Sequence, residues 1–533
     1  MASVVFGGGH RPVSTAYGPL ARAHIELSEP TPIERARYDT FDGRLHRAGL
    51  RLECRLLSGG RGALLLTDTE GGTRELSLTS VSDLGHPLAL ERLPAGRLRS
   101  RLASSAGGRA LLPQVWVRSL RRSGTAHDDR GRPRVGVNLD TDLVIRTPGT
   151  VGVRGEHQLR WTVEVEAVDG RPKPAAKLGR RLTAELTLEG RPPLTFDGDA
   201  LELAAEVAGV DRGGWRGAVR PDLARDDRAL PGVRAVLTSF ADAIDANWQG
   251  TVDHLDDDFL HDLRIGVRQT RSLLAQSRRI LPDDVRDAQR EAFRWLGDAT
   301  STARDLDVYL AGWTELTGGL EPAEREALEP VRGHLMAQRD AAHGEVAQAL
   351  GSDRARRLRE EWRGWLALPD TAVSGDRDAR RPLGKVIGRR FLAAQAEVLE
   401  RGRAIDADSP AEQLHELRKS GKQLRYLLEG FGHLGGKDRS ARMIRHLRRL
   451  QDNLGAHQDA EVQAARLRHA LEELQAADPG AVTPATVAAA EGLATTLDAR
   501  QARERDRFAA RFDAYDRRKV RRTLTDLVGR MEG

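Results

Sequence analysis

The sequence predicts a multidomain protein, with an α+β domain of antiparallel strands followed by an all-α domain made of two related halves. Three observations carry this reading. The texture of the chain changes between residues 215 and 230. Short apolar runs punctuated by Gly and Pro precede the change, and a helical pattern repeats at a fixed spacing after it.

The strands come first. Residues 62–67, 114–117, 134–137 and 162–166 are short apolar runs bounded by turn residues, several alternating with a period of two, as half-buried strands do. Residues 182–188 and 200–207 read as helices. Beyond Pro221 the chain is rich in Arg, Ala, Leu and Glu, with apolar residues spaced three and four apart. These are helix formers at the helical period. Pro282, Pro369 and Pro410 fall between the helices, and a polar stretch at 368–384 splits the helical region. The expected domains are therefore 1–215 and 225–533, the second with halves at about 225–367 and 384–533.

Composition excludes several classes. The chain has 533 residues, 39% of them hydrophobic, enough for more than one core. A single cysteine, Cys54, rules out an internal disulfide framework or a multi-cysteine metal cage. No window holds the roughly 20 apolar residues of a membrane helix. Residues 1–10 lack the basic start and apolar stretch of a secretory leader, so a cytoplasmic location and no membrane partner are expected. Lys and Arg number 84 against 78 Asp and Glu, a formal charge of +6 that is small for this length. The placement of the cations therefore matters more than their sum. Most are Arg, whose planar fork can hold phosphate oxygens in pairs.

The repeat gives that placement. Residues 261–274 align with 415–428 at an offset of 154, sharing His, Leu, Arg, Gln, Arg, Leu and Leu. The same offset, without a gap, brings 296–298 onto 450–452 and 304–308 onto 458–462. Two matches at one offset imply a duplicated helical unit. On a helix, His261, Arg264, Arg268 and Arg271 fall within an arc of about 80°. His415, Arg418, Lys422 and Arg425 fall on the same arc of the second copy, with Lys419 beside them. Leu260, Leu263, Val267 and Leu274 lie to the side and are expected to pack inward. The ridge is expected to lack a neutralising acid at its i+4 positions. Like charges spaced three and four apart repel, so a helix that keeps such a ridge is suited to facing an anion. Arg278, Arg390 and Arg448 are candidate extensions of the surface, and Asp305 and Asp459, at matching positions, are candidate orienting carboxylates.

The anion is expected to carry charge without bases. Binders of single-stranded nucleic acid add aromatic platforms to a basic groove. Here aromatic residues make up only 4% of the chain, the first ridge has none, and Tyr426 is the nearest in the second. Inorganic polyphosphate fits such a surface, and nucleic acid is the rival partner.

The residues from about 233 to 524 resemble the CHAD domain, the conserved histidine α-helical domain. Its Leu/Val-His-x-Leu-Arg-x-x-x-Lys/Arg-x-x-Arg helix matches residues 260–271 and 414–425, and its Arg-Asp-x-Asp-Val element matches 304–308, with a weaker copy at 458–462. The resemblance implies a two-lobed helical fold that binds inorganic polyphosphate through basic residues; association with polyphosphate granules is the expectation for a protein that binds this polymer.

The first domain resembles a CYTH domain, the antiparallel barrel or tunnel that acts on triphosphates. Residues 38–50, 163–166 and 176–182 look like its YYDTxD stretch, its later acidic strand and its SKLxRxL helix. The resemblance implies vestigial phosphate-side cations at Arg118, Arg121, Arg122, Lys177 and Arg181, and vestigial metal-side carboxylates at Glu164 and Glu166. The family's opening ExExK strand is missing, however, since Glu26 and Glu29 have the wrong spacing and no lysine follows. Metal-assisted phosphoryl chemistry needs several carboxylates around Mg²⁺. A degenerate domain without catalytic residues, metal or cofactor is therefore expected, and a metal-dependent triphosphatase or polyphosphatase is the alternative. Gly7, Gly8 and Gly9 open no phosphate-binding loop, and no HExxH or nucleophile elbow occurs. His254 and His261, near Asp256, Asp257 and Asp258, read as a helix cap and a solvated run rather than a metal site.

Overall fold

A computed structural model describes every residue except 1–2, 9–10, 58–60, 69–73, 81–83, 91–92, 149–152, 169–171, 188–190, 212, 219 and 374. The chain divides into two units, Met1–Arg216 and Gly217–Gly533.

The first unit is built on an antiparallel sheet. Its strands are β1 (Ser3–Gly7), β2 (Thr31–Thr40), β3 (Leu50–Leu57), β4 (Arg61–Asp68), β5 (Arg74–Ser80), β6 (Leu111–His127), β7 (Pro133–Pro148), β8 (Val153–Ala167) and β9 (Leu194–Asp197). Their order across the sheet is β5-β4-β3-β2-β6-β7-β8-β1-β9. Interspersed are α1 (Ser14–Arg22), α2 (Arg44–Arg47), α3 (Arg97–Ala106), α4 (Pro172–Leu186) and α5 (Ala200–Val207). The expected runs at 114–117, 134–137 and 162–166 are segments of strands 17, 16 and 15 residues long. Their outer parts carry Arg, Thr and Glu, and show no apolar run to read. The helix expected at 182–188 starts earlier, at Pro172, and ends at Leu186.

Period-two alternation sorts these strands into two faces. Ala36, Tyr38, Leu52, Cys54, Leu64 and Leu66 form an apolar face closed by Leu98, Leu102 and Ala106 of α3. Val135, Val137, Leu139, Val163 and Val165 form another, against Ala16 and Leu20 of α1 and Ala175 and Leu182 of α4. Several of the residues between them are charged, and Arg35, Glu53, Asp140 and Glu164 are nonetheless buried.

The second unit is all-helical. Its first half holds α6 (Ala229–Val252), α7 (Asp257–Gln276), α8 (Asp283–Ala299), α9 (Ser301–Ala311), α10 (Trp313–Thr317), α11 (Pro322–Ala327), α12 (Glu329–Gly351) and α13 (Asp353–Ala367). Its second half holds α14 (Leu383–Arg403), α15 (Ala411–Phe431), α16 (Lys437–Ala477), α17 (Pro484–Tyr515) and α18 (Arg518–Glu532). The duplication is visible in the elements, because α7 and α15 start 154 residues apart. It is also imperfect. Where the first half breaks at Thr300 between α8 and α9, the second runs unbroken through the 41 residues of α16. Leu260, Leu263, Val267 and Leu274, with their counterparts Leu414, Leu417 and Leu428, are buried in one apolar core shared by both halves. The side chain of Asp256 caps α7, accepting from the backbone N–H groups of Asp258 and Phe259. Among the described residues no helix is long and apolar enough to cross a membrane.

Candidate anion-binding groove

The two ridge helices meet. α7 lies against α15, and Gln269, Ser272 and Leu273 share a small cavity with Tyr426, Leu427 and Gly430. At the repeat offset Ser272 and Leu273 correspond to Tyr426 and Leu427, so equivalent positions oppose one another, as in a two-fold contact. This geometry brings the cations of both copies together. The guanidinium of Arg268 lies 5.6 Å from the ring centre of Tyr426, and that of Arg425 lies 5.3 Å from it. Burial, and then Arg418, Arg268 and Arg425, push the Lys422 ammonium down to about 8 against the pull of Asp459. A lysine of the second copy thus feels an arginine of the first.

Each ridge residue has its own support. Arg264 donates to the Gly297 carbonyl at 2.7 Å and to Thr300 Oγ1 at 2.7 Å, closing the C-terminal end of α8. Burial pushes its pKa down, with Asp305 opposing and Arg268, Arg304 and Arg271 reinforcing. Burial in turn lifts Asp305, despite Arg264, Arg466 and Arg304. The corresponding pair in the second copy, Arg418 and Asp459, is 3.5 Å apart. Arg271 lies above Gly297, 3.9 Å from Asp298. His415 Nδ1 donates to Gln458 Oε1, while His261 is half-buried on α7.

Some expectations change. Glu429, four residues after Arg425, lies 3.7 Å from it and 3.9 Å from Arg448, so the second ridge does have an acid at i+4. Burial lifts Glu429 while Arg425, Arg448 and Arg268 hold it down. The net shift is upward, so proximity to these cations does not repay the loss of water. Lys419 is exposed at the flank of the stripe and pairs with Glu416 at 2.7 Å. Arg390 donates to the carbonyl of Arg278, and Arg278, Arg279, Arg389 and Arg390 crowd around Asp378 as a knot of their own beyond α7. Arg304 and Arg466 join the groove through Asp305. Arg304 was legible in the repeated motif, whereas Arg466 has no motif signal.

In the first unit the charged side chains neutralise one another. Buried Arg35 lies 2.9 Å from Asp140 and 3.7 Å from Glu164. Arg121 holds the same two acids at 2.7 and 3.5 Å. Arg37 pairs with Asp199 at 2.6 Å, Arg51 with Glu202 at 2.7 Å and Arg55 with Glu53 at 2.7 Å. Burial pushes Glu164 up, with Arg35 opposing and neighbouring Glu166 adding to it. The cations that the resemblance implied on β6 and α4 lie in different surroundings. Arg118 and Lys177 are exposed. Arg122 donates to the Ser28 carbonyl at 3.1 Å, and Arg181 pairs with Glu185 at 2.7 Å. Arg121 alone of the set joins the buried acids. β1 reads SVVFG and carries no carboxylate where it pairs with Glu164 and Glu166 of β8.

Fold and groove define a class: a helical module duplicated in one chain, with the cationic stripes of its copies brought side by side. Residues 235–468, within the helical unit, match the family model of the CHAD domain. Among solved structures, the chain is similar to the CHAD domain from the plant Ricinus communis, at 26% identity and a TM-score of 0.47, over 57% of this chain and 97% of that one. It is also similar to PptA from Streptomyces chartreusis, at 18% identity and a TM-score of 0.41, over 54% and 100%. A Hippeastrum protein described as a candidate adenylyl cyclase with dominant triphosphatase activity matches at 15% identity and a TM-score of 0.24, over 39% and 95%. No curated protein matches the chain.

Proposed function

We propose that the protein binds inorganic polyphosphate in the groove where α7 and α15 meet. The observation that carries this reading is the convergence of Arg268 and Arg425 on the ring of Tyr426, with Lys422 between like charges. Such crowding is unfavourable in the free protein and is relieved by a polyanion. Arg425 Nε and Tyr426 Oη are buried without hydrogen-bond partners, so the groove carries unpaired polar atoms beneath its cationic surface. The groove has one aromatic ring between its two ridges rather than a series of platforms, which favours a base-free anion over nucleic acid. Granule association is part of this reading.

Arg268→Glu with Lys422→Glu tests it, because neither side chain closes a helix end as Arg264 does. Affinity for long-chain polyphosphate should fall by about 100-fold or more, at about 1.5 kcal/mol for each lost charge-assisted contact. The log of the binding constant should fall more gently with the log of the salt concentration than in the unmodified protein, by analogy with counterion release from DNA. Unchanged affinity, or equal displacement by single-stranded RNA of matched charge, overturns the reading. The alternative, a metal-dependent triphosphatase in the first unit, is disfavoured by the mutual pairing of its buried arginines and acids. Release of phosphate from triphosphate by the full chain with Mg²⁺ would restore it.

A further inference from the structure

The two copies of the repeat differ where their ridges end. One turn beyond Arg271 stands Ala275, and its counterpart at the offset of 154 is Glu429. The Glu429 carboxylate lies 3.7 Å from Arg425 on its own helix and 3.9 Å from Arg448 of α16. Arg268 of α7 and Arg220, ahead of α6, also act on it. In the first copy Arg271 and Arg294, the counterparts of Arg425 and Arg448, line an open cavity of about 330 Å³ together with Ala275. We infer, on the polyphosphate reading of the groove, that Glu429 is a built-in competitor of the polymer. Its carboxylate stands among the arginines of the second copy where a phosphate oxygen would lie, and polyphosphate must displace or neutralise it to fill that half of the groove.

Geometry separates this carboxylate from a structural ion pair. Both separations exceed hydrogen-bond reach, so Glu429 meets its arginines by charge and not by directed bonds. Arg425 Nε makes no hydrogen bond even with that carboxylate beside it. The side chains of Glu429 and Arg448 are 28% and 59% exposed, so the two can part without disturbing the helices. Burial lifts the Glu429 carboxyl above its ordinary range, although Arg425, Arg448, Arg268 and Arg220 all oppose it. A carboxylate that stabilises the fold through its partners is held down instead. Asp516 is one, held low by hydrogen bonds from Arg403 at 2.7 Å and Arg521 at 2.6 Å.

The first copy lacks this competitor. Asp287 and Glu291 also line its cavity, but they belong to exposed pairs with Arg290 and Arg294, which water and salt weaken. Polyphosphate brings several charges against the single charge of Glu429, so it can take Arg425 and Arg448 from it. A carboxylate left facing the phosphates repels them. Glu429 therefore takes a proton from solvent, and as a neutral acid it can donate a hydrogen bond to a phosphate oxygen. Binding strengthens as pH falls through the lifted range of Glu429. The charged groups that face it, Arg425, Arg448, Arg268 and Arg220, are all arginines, which stay protonated across that range and add no titration of their own.

The test uses the full chain and long-chain polyphosphate at low ionic strength. Glu429→Gln should bind about tenfold more tightly at neutral pH, because one competing charge is removed. Ala275→Glu, which places a carboxylate beside Arg271 and Arg294, should bind about tenfold more weakly. Glu326→Gln makes an equal change of charge on α11, which carries no residue of either ridge, and should alter affinity by less than about twofold. Calorimetry in two buffers at mildly acidic pH should show more protons taken up on binding by the unmodified chain than by Glu429→Gln. Without polyphosphate, Glu429→Gln should melt no lower than the unmodified chain, since the ionised carboxylate is held there against its burial cost. Equal or weaker binding by Glu429→Gln, a matching gain from Glu326→Gln, no loss from Ala275→Glu, equal proton uptake, or a lower melting temperature for Glu429→Gln each overturns the inference and leaves the groove reading standing. Absence of polyphosphate binding by the unmodified chain overturns the groove reading, and Glu429's role falls with it.

Discussion

Arg268 and Arg425 stand against the same ring, that of Tyr426, although they belong to different copies of the repeat. An aromatic face is electron-rich, so it holds the two guanidinium groups near each other at a fraction of their repulsion in its absence. Tyr426→Leu keeps much of the apolar volume and loses that face. The hydroxyl makes no hydrogen bond in this fold, so its removal adds little cost. We expect the variant to lose about 1–2 kcal/mol at low ionic strength, from two cation–π contacts. Because the exposed repulsion is screened by salt, part of the loss should return in 0.5 M salt. Thermal unfolding at two salt concentrations checks this, and an equal loss at both would exclude the electrostatic explanation.

Lys422 gives the groove a pH dependence. Burial and its arginine neighbours hold it near 8, so the ammonium is lost as pH rises through that value. Polyphosphate needs the charged form, and affinity should therefore fall between about pH 7 and pH 9 while every arginine stays charged. Lys422→Arg should flatten this part of the profile. Stability of the unbound protein moves the other way. Between the folded value near 8 and the ordinary lysine value, the unfolded chain binds the extra proton, so stability rises with pH across that window. Binding isotherms and unfolding curves at matched pH values read the two opposite slopes.

Gly297 separates stability from binding. It is buried on α8, its carbonyl accepts from Arg264, and a Cβ built there would come 2.5 Å from an Arg271 terminal nitrogen. The clash is with the tip of a flexible side chain, so the fold tolerates it. Gly297→Ala should stabilise the helix by up to about 1 kcal/mol. It should also displace Arg271 from the ridge and weaken polyphosphate binding by about tenfold, one charge-assisted contact at about 1.5 kcal/mol. Denaturant titration and a binding isotherm on the same variant decide the matter. A loss of stability would mean that Arg271 cannot move.

The ridges were legible because a helix converts a spacing of three and four into a stripe without help from the rest of the fold. The offset of 154 further indicated that two such stripes exist. Their meeting at Tyr426 was not legible, since it depends on how α7 and α15 oppose each other. In the first unit, period-two alternation revealed strands only where one face was apolar for several residues. Along β6, β7 and β8 the buried face carries Arg121, Asp140 and Glu164, so the pattern that marks a buried strand is broken by the charges that pair inside it.

Those internal pairs make a prediction of their own. Arg35 is 2% exposed at its side chain and lies between Asp140 and Glu164, which are nearly as buried. Burial disfavours its charge, and Asp140 and Glu164 more than compensate, so its pKa lies above the ordinary arginine value. Removing it strands two carboxylates without water. Arg121 still reaches both, but one guanidinium cannot replace the donors of two. Arg35→Met should destabilise the first unit by about 3–5 kcal/mol, the usual cost of breaking a buried ion pair from one side. Arg35→Met with Asp140→Asn should recover part of this, because the remaining acid is served by Arg121. If the buried charges were instead a site awaiting a phosphate ligand, Arg35→Met would leave stability nearly unchanged and abolish stabilisation by added triphosphate. Unfolding with and without triphosphate therefore separates an internal structural network from a working anion tunnel.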